Sequence, residues 1–329
     1  MKVGLTYDLR DEYLAQGYGE EETAELDKPD TIEGIESALR KLGFIVDRIG
    51  HVKSLMARLL KGDRWDIVFN IAEGIQGVTR ESQVPALLEV YGIPYTFSDS
   101  LILALSLNKT LTKRVLQTAG VNTPAFAEVR APADIAPIRL PYPLFAKPVA
   151  EGTGKGITNA SRIADAGQLR KVCLKLLRTF RQPVLVETYL PGEEYTVGIL
   201  GTGRDARVAG VMAVRYRGGT DAIYSYKTKK NYEDLVDYTL ARPAAAKACG
   251  DLALKAWNAL GCADAGRVDI RYDNKDKPSF IEVNPLAGLN PVHSDLPILC
   301  RLNGLSFDQL IGAIMKSALK RRRIIPACL

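Results

Sequence analysis

Two short alternating runs near the C-terminus constrain the fold more than any other part of the sequence. They are Gly-Arg-Val-Asp-Ile-Arg-Tyr at 266–272 and Ser-Phe-Ile-Glu-Val-Asn-Pro at 279–285, and the polar residues at 273–278 between them are typical of a turn. The pattern predicts a β-hairpin, in which successive side chains point to opposite faces. The side chains expected to point into a core are Val268, Ile270, Ile281 and Val283.

The opposite face of the predicted hairpin is polar. Its side chains are Arg267, Asp269, Glu282 and Asn284. Carboxylate and amide oxygens suit Mg²⁺, which usually completes its coordination shell with water and phosphate oxygens. The hairpin therefore predicts a magnesium site beside a guanidinium, and the alternative is a solvated sheet face with a salt bridge.

The composition is that of an ordinary globular protein with 329 residues, 47% of them hydrophobic and 25% charged, and a net charge of +6. The basic run at 320–323 lacks aromatic neighbours, so we expect a helix end and no nucleic-acid partner. The absence of any run of about 18 apolar residues predicts no membrane span. The five scattered cysteines favour neither disulfides nor zinc, and a strand rather than a signal peptide is expected at 1–7, so we expect a cytoplasmic protein.

Strands and helices alternate over the first hundred residues. The strands are predicted at 2–7, 44–49 and 65–70, and the helices at 29–42, 52–61 and 82–91. This alternation indicates a parallel sheet, whose ligands bind at the carboxyl ends of the strands. The polar side chains expected near that crevice are Asp8, Asn70, Glu73, Arg80 and Glu81. The acidic stretch 8–28 shows no period and is predicted to be a long functional or mobile loop.

The central third begins with a helix at 109–118, capped by Asn108, and continues through a winding, proline-rich connection at 124–143. A predicted strand at 144–148 ends in Lys147 and Pro148. The glycine-rich loop that follows, 151–156, would let backbone N–H groups approach a phosphate, with a plain hairpin turn as the alternative. It matches neither the Walker A pattern nor the dinucleotide-binding fingerprint.

The remaining elements mix strands and helices. The predictions are helices at 165–179, 243–260 and 306–320, strands at 183–188, 195–201 and 208–215, a mobile loop at 224–237 and an irregular stretch at 285–296. Lys147, the glycine-rich loop, Glu187 and the polar hairpin face thus occur in this order over about 140 residues. The lysine and the loop would hold a polyphosphate and the carboxylates its metal, while Glu187, at a sheet edge, would accept a hydrogen bond from a purine amine or ribose.

These motifs resemble the ATP-grasp superfamily and, within it, the D-alanine–D-alanine ligases. The resemblance runs from about Trp65 to Lys320, and its most specific part is Glu-Val-Asn at 282–284 followed by Gly288, Ser294 and Leu296. The supporting segments are Arg267-x-Asp269, Gly-Ile-Pro-Tyr-Thr at 92–96, Ala-Leu-Ser-Leu-Asn-Lys at 104–109, Lys-Pro-x-x-Glu-Gly at 147–152 and Val-Glu-Thr-Tyr-Leu-Pro-Gly-Glu-Glu-Tyr-Thr-Val at 186–197.

The resemblance implies a fold and a set of domains. The fold class is α/β, with α+β character in the ATP-grasp part. An N-terminal parallel-sheet domain at 1–105 would be followed by two α+β subdomains, at 106–187 and 188–329, that sandwich ATP. Family members are often homodimers, so a homodimer is also expected.

The resemblance also implies residue roles. ATP would be bound by Lys109, Lys147, Thr153, Glu187, Leu190, Glu194 and Lys229. Two Mg²⁺ ions, or Mn²⁺, would be held by Asp269, Glu282 and Asn284. Arg267 and the backbone of Gly288 would stabilise the oxyanion of a tetrahedral intermediate. Ser294 would contact the second substrate's carboxylate, and Glu73 is a further candidate substrate residue.

The implied activity is ligation of a carboxylate to an amine, giving a dipeptide-like amide through an acyl phosphate, with release of ADP and phosphate. The narrower alternative is a true D-alanine–D-alanine ligase. An alternative of another class is a non-catalytic ATP-binding regulator, and a dehydrogenase is disfavoured because the glycine fingerprint is missing.

Four segments depart from the family pattern. They are Thr-Tyr-Asp-Leu-Arg-Asp at 6–11, the stretch 70–81, Lys230 and Asn-Pro-Leu-Ala-Gly-Leu at 284–289. All four lie on the substrate side, while the nucleotide and metal side is kept. The sequence therefore predicts an intact ligase machinery and leaves the amino-acid specificity open.

Overall fold

The computed structural model describes residues 1–217 and 235–324. Its strands are β1 Lys2–Thr6, β2 Ile45–Gly50, β3 Ile67–Asn70, β4 Phe126–Val129, β5 Leu144–Pro148, β6 Arg162–Ile163, β7 Val184–Thr188, β8 Glu194–Leu200, β9 Arg207–Tyr216, β10 Val236–Leu240, β11 Ala265–Tyr272 and β12 Pro278–Asn284. Its helices are α1 Arg10–Ala15, α2 Pro29–Lys41, α3 Val52–Leu60, α4 Gln83–Val90, α5 Ser100–Leu107, α6 Lys109–Thr118, α7 Ala166–Phe180, α8 Pro243–Leu260, α9 Asp295–Leu302 and α10 Phe307–Arg321.

The N-terminal sheet is parallel, with the strand order β2-β1-β3, as the alternating pattern predicted. Apolar side chains of α2, among them Ile32, Ile35 and Leu39, form one core with residues of α9 and α10. The exposed ion pair between Lys41 and Asp308 lies at the border of α2 and α10. The last helix of the chain therefore packs against the first domain, and the two ends of the sequence share one core.

The acidic stretch after β1 contains structure that the sequence did not predict. Residues 10–15 form helix α1, and Leu9 makes a parallel bridge with Asp27 that closes the stretch back onto the sheet. Tyr13 on this helix is buried, and its hydroxyl donates to Asp8 at 2.5 Å. The hydrogen bond between Tyr13 and Asp8 thus anchors helix α1, which is too short for its helical period to be recognised in the sequence.

The central sheet has the order β4-β7-β5-β6, and α7 packs on it through Leu169, Cys173 and Leu176. The prediction of a winding connection at 124–143 was incomplete, because β4 lies within it and pairs antiparallel with β7. The prediction that Glu187 lies at a sheet edge was wrong, since β7 has a partner strand on each side. A strand of only four residues within a proline-rich connection shows too little alternation to be recognised from the sequence.

The C-terminal sheet is antiparallel, with the order β10-β9-β8-β11-β12. Helix α8 covers one face of it with Trp257, which is fully buried. The helix has the predicted bounds, and its C-cap is Gly261 in the left-handed conformation. The expected loop at 224–237 lies mostly outside the described residues, and its last two residues belong to β10. The stretch expected to be irregular to 296 ends sooner, because α9 begins at Asp295.

The predicted hairpin is present as β11 and β12, but it contains a bulge. Asp269 pairs with Glu282, whereas the next residue, Ile270, pairs with Phe280, so that Ile281 is the extra residue. The prediction that Ile281 points into the core was therefore wrong. Phe280 is 1% exposed and takes that core position, while Ile281 turns to the polar face.

The domain boundaries at 105/106 and 187/188 stay predictions. Among the described helices, none combines the length and the apolar character that a membrane crossing requires.

Gly266, at the start of the hairpin, has no room for a side chain. A Cβ there would lie 2.5 Å from the carbonyl oxygen of Asn284 and 2.7 Å from the ring of Trp257. We expect Gly266→Ala to lower the free energy of unfolding by about 1–3 kcal/mol through overpacking, measured by urea denaturation.

Gly312, inside α10, is the matched control. A Cβ there meets only the side chain of Leu42, at 3.6 Å, so Gly312→Ala should be neutral or stabilise by up to about 1 kcal/mol. Equal unfolding midpoints for Gly266→Ala and the parent protein would contradict the close packing at the hairpin.

Candidate active site

Two adjoining cavities lie against the polar face of the hairpin. The first is formed between the central and C-terminal sheets, and the residues predicted to bind a nucleotide that line it are Lys109, Lys147, Thr153, Glu187, Leu190 and Glu194. The second is formed with the N-terminal domain, and the predicted substrate-side residues that line it are Glu73, Glu81, Gly288 and Ser294. The two cavities meet at residues that line both, which are Lys109, Glu151, Gly152, Thr153, Arg267, Glu282 and Asp295.

The four polar side chains of the hairpin converge, as the sequence predicted. The strand register places Arg267 opposite Asn284 and Asp269 opposite Glu282. Arg267 Nη2 lies 3.5 Å from Asp269 Oδ2, and the Asn284 amide oxygen, turned to the guanidinium, accepts from Arg267 Nη2 at 3.2 Å. Thr196 on the neighbouring strand β8 donates to Asp269 Oδ1 at 2.9 Å, so the platform is braced from both sides.

The two carboxylates of this face have opposite pKa shifts. Burial and the charges of Glu282 and Asp295 raise the pKa of Asp269 to about 7, against the opposing charge of Arg267. Burial also opposes ionisation of Glu282, but Lys109, Lys147 and Arg267 outweigh it and lower the pKa of Glu282 to about 2. Near neutral pH, Glu282 is therefore charged and Asp269 is partly protonated. A cation bound beside them would favour the charged form of both carboxylates.

Three buried lysines lie on the first cavity's side of the hairpin. Lys109 Nζ lies 3.5 Å from Glu282 Oε2, while Lys147 Nζ and Lys113 Nζ lie 3.4 and 2.9 Å from the two carboxylate oxygens of Glu187. Burial lowers the pKa of Lys113, and the Glu187 charge offsets only part of that effect. For Lys147 the balance is reversed: burial would lower its pKa, but Glu187 and Glu282 outweigh it and raise it.

Lys113 was not predicted, although the signal was present. It follows Lys109 by four residues on α6, which places both side chains on one face of that helix. Glu187, which was predicted to bind a purine or a ribose, lies between two lysines, and its side chain is 4% exposed. Its carboxylate therefore pairs with Lys147, which lines the first cavity, and with Lys113, which is buried behind it. The role of Glu187 toward a nucleotide stays a prediction.

The glycine-rich loop has three residues in the left-handed region of backbone conformation, which glycine adopts readily. Thr153, Gly154 and Gly156 have φ values of 54°, 71° and 74°. The Gly152 N–H, next to them, donates to Glu25 Oε1 at 2.7 Å. A Cβ on Gly152 would lie 2.4 Å from this same oxygen, so the close approach requires glycine.

Glu25, in the acidic stretch of the N-terminal domain, is a functional candidate that sequence reasoning missed. Its carboxylate accepts from Arg80 at 2.9 Å and from Lys155 of the glycine-rich loop at 3.1 Å. Burial opposes its ionisation, but Arg80 and Lys155 outweigh burial and lower the pKa of Glu25 to about 2. Arg80 also donates to the carbonyl oxygen of Ala150, the residue before the loop, at 3.0 Å. The N-terminal domain therefore contacts the glycine-rich loop and its start through several hydrogen bonds.

The polar residues predicted at the crevice separate into two groups. Asp8 and Asn70 line neither cavity and bind backbone N–H groups, because Asp8 accepts from Gly74 N at 2.8 Å and Asn70 accepts from Ala72 N at 3.3 Å. Glu73 and Glu81 line the second cavity.

The remaining predicted residues are distributed as follows. Ser294 accepts from Asn290 N at 2.9 Å and lines the second cavity with Gly288. Glu194 accepts from the Tyr216 hydroxyl at 2.9 Å and lines the first cavity with Leu190. The predicted residue Lys229, and the departing residue Lys230, lie outside the described residues.

Ionisation of Glu81 lowers the stability of the folded protein. Burial, helped by Glu25 and Glu282 and opposed by Arg80 and Lys109, raises its pKa to about 7 from the usual 4.5. A raised pKa means that the unfolded state loses the proton first, so stability falls as pH rises from about 4.5 to 7. We expect Glu81→Gln to raise the free energy of unfolding by about 1–2 kcal/mol at pH 8 and to leave it unchanged near pH 4.5, in urea denaturation at both values.

Glu36 on α2 is a control with the opposite sign. Its pKa is lowered because hydrogen bonds from Arg40 and Arg48 outweigh its burial. Glu36→Gln should therefore destabilise the protein at pH 8 and lose this effect as pH falls below the usual carboxyl range. A stabilisation by Glu81→Gln that is the same at both pH values would show that its charge is not the cause.

Comparison with known proteins identifies the family. The family model of the D-ala D-ala ligase C-terminus matches residues 115–316. A D-alanine–D-alanine ligase of Bordetella petrii is 32% identical over 291 residues, which cover 87% of this chain and 86% of the relative. The chain belongs to the D-alanine–D-alanine ligase family.

Solved structures show that the fold is that of ATP-grasp ligases. A D-alanine–D-alanine ligase of Bacillus anthracis, crystallised with ATP, matches with a TM-score of 0.73 and 21% identity, over 98% of this chain and 99% of that one. The VanG D-Ala:D-Ser ligase of Enterococcus faecalis matches with a TM-score of 0.72 and 21% identity, over 96% and 99%. This family member is an ADP-forming, ATP-dependent carboxylate–amine ligase, as the sequence predicted.

Proposed function

We propose that this ligase joins two amino acids, or an amino acid and a similar carboxylate, in the two adjoining cavities. ATP binds in the first cavity and phosphorylates a carboxylate held in the second. The amine of the other substrate then attacks the acyl phosphate, and phosphate leaves. The observation that supports this most directly is that Lys109, Arg267 and Glu282 line both cavities, so a phosphate at their junction reaches both substrates.

The lysines supply the positive charge that the triphosphate needs. Lys147 is held by Glu187, and Lys109 donates to the carbonyl oxygen of Glu151 at 2.6 Å, beside the glycine-rich loop. Phosphoryl transfer is catalysed mainly by alignment and by cations placed on the moving oxygens. Thr153, in the strained turn of the loop, lies against both cavities and would exclude water from the acyl phosphate.

The adenine and ribose end of ATP would lie deeper in the first cavity, between Leu190 and Glu194. Ile281 lines the same cavity because of the hairpin bulge, and it adds apolar surface that the sequence pattern had assigned to the core. Lys229 would help to cover the nucleotide.

The polar hairpin face fits Mg²⁺. Within residues 1–217 and 235–324, no three histidine, cysteine, aspartate or glutamate side chains converge closely enough to hold a metal by themselves. Two carboxylates and an amide are nevertheless a typical protein contribution to Mg²⁺, which takes its other ligands from phosphate and water. Asp269, Glu282 and Asn284 would hold the metal, which, when bound, neutralises charge on the transferring phosphoryl group.

Arg267 is placed for the second step. Its guanidinium lies at the junction of the cavities, where the carbonyl oxygen of the acyl phosphate would become negative as the amine adds. Arg267 and the backbone N–H of Gly288 would stabilise this oxyanion, and one such donor is typically worth about 3 kcal/mol.

The second cavity would hold the two amino-acid substrates. The similar solved structures include a D-alanine–D-alanine ligase and a D-Ala:D-Ser ligase, so one fold accommodates more than one amine. We infer that Ser294 binds the carboxylate of the amine substrate and that Glu73 faces an ammonium group. D-alanine–D-alanine ligation is the narrower possibility, and homodimerisation and a cytoplasmic location stay predictions.

A phosphate-release screen tests the proposed function. We expect Mg-ATP with the correct pair of D- or L-amino acids to give ADP, phosphate and amide in equal amounts, and chelation of the metal to abolish the reaction. An ATP hydrolysis rate that is the same with every amino acid would contradict the proposal.

Arg267→Ala separates the ligase from a non-catalytic ATP-binding regulator. The variant should bind ATP like the parent protein, by isothermal titration, while amide formation falls by about 10²–10³-fold. A regulator would lose no activity on this substitution, because the parent protein would form no amide.

A further inference from the structure

Asp295 is a residue of the junction to which the sequence assigned no role. It is the first residue of α9, directly after Ser294, and its side chain lines both cavities. The side chain is only 8% exposed. A buried carboxylate at the meeting point of two substrate cavities needs a partner, because an unpaired buried charge is strongly destabilising.

The partner of Asp295 is Arg267. Arg267 Nη1 donates to Asp295 Oδ2 in a close ion pair, and the hydroxyl of Tyr238 on β10 donates to Asp295 Oδ1 at 3.1 Å. The carboxylate is thus oriented by a second donor on another strand. Its place in the first turn of a helix further stabilises its negative charge.

Different nitrogen atoms of the Arg267 guanidinium contact different acceptors. Nη1 faces Asp295, whereas Nη2 faces Asp269 at 3.5 Å and the Asn284 amide oxygen at 3.2 Å. Asp269 and Asn284 lie on the hairpin itself, whereas Asp295 lies on a separate element, α9. A planar guanidinium fixed from the hairpin and from α9 has a defined orientation, which a single ion pair would not give.

We propose that Asp295 is a positioning residue for amide formation, whose carboxylate orients the Arg267 guanidinium toward the junction of the two cavities. The inference rests on the role of Arg267 in the proposed function. Groups that stabilise a transition state must be held in place before the reaction, and a displacement of about 1 Å can cost about 10²-fold in rate.

The test compares Asp295→Asn and Asp295→Leu with the parent enzyme. The asparagine keeps a hydrogen-bond acceptor for the guanidinium without the charge, and the leucine keeps neither. We expect amide formation to fall by about 10-fold in Asp295→Asn and by about 10²-fold in Asp295→Leu, with the KM for ATP changed less than about 2-fold.

The ratio of phosphate to amide distinguishes positioning from general damage. When the amine adds more slowly, water competes for the acyl phosphate, so the phosphate released should exceed the amide formed in both variants. Asp308→Asn is the matched control, because Asp308 lies in the first turn of α10, lines neither cavity and makes an exposed ion pair with Lys41. It should keep the parent rate and equal amounts of phosphate and amide.

A double-mutant cycle shows whether Asp295 acts through Arg267. In the Arg267→Ala background, Asp295→Asn should cause no further loss of amide formation. The same loss in both backgrounds would overturn the proposal, because Asp295 would then act on the substrates directly.

The outcomes also separate this inference from the proposed function. If the parent enzyme forms no amide with any pair, the proposed function fails; if the parent forms amide and both Asp295 variants match its rate and its ratio, only the positioning role fails. Should Asp295→Leu not fold, Tyr238→Phe removes the second donor to the carboxylate and keeps the core. It should lower the amide rate about 2–5-fold and raise the phosphate-to-amide ratio, and an unchanged ratio would overturn the proposal.

Discussion

Charge pairing among buried ions holds the candidate active site together. Lys109, Lys113 and Lys147 face Glu187 and Glu282 in a space that burial makes unfavourable for any of these charges alone. Removing one member of such a set leaves an uncompensated charge, which costs far more than the net worth of the pair. The arrangement therefore supports the proposed binding of a polyphosphate and its metal more than a role in stability.

A second set of ion pairs connects the substrate side to the nucleotide side. Glu25 belongs to the N-terminal domain, yet it accepts from the Gly152 N–H and from Lys155 in the glycine-rich loop. Arg80 reaches the same carboxylate and also Ala150. The acidic stretch, which the sequence predicted to be a functional or mobile loop, is thus a structural contact between the second cavity and the glycine-rich loop.

The hairpin shows which features of the site the sequence could predict and which it could not. Alternation placed Arg267, Asp269, Glu282 and Asn284 on one face, and the structure confirms that they converge. The same rule failed at Ile281, because one bulged residue changes the face of its side chain without changing the composition of the strand. The prediction that Glu187 lies at a sheet edge was wrong for another reason. The strand that pairs with β7 on that side, β4, lies in a proline-rich connection that shows no strand pattern.

The sequence by itself determined the family, most of the strands and helices, and the polar residues that converge on the hairpin, because these depend on short motifs with local periodicity. Only the tertiary structure decided the partners that come from distant segments. Glu25 meets Lys155 across 130 residues, and Asp295 meets Arg267 across 28. Neither pair has a periodic signature, since each arises from the packing of separate domains and helices, and burial then makes each charge depend on the other.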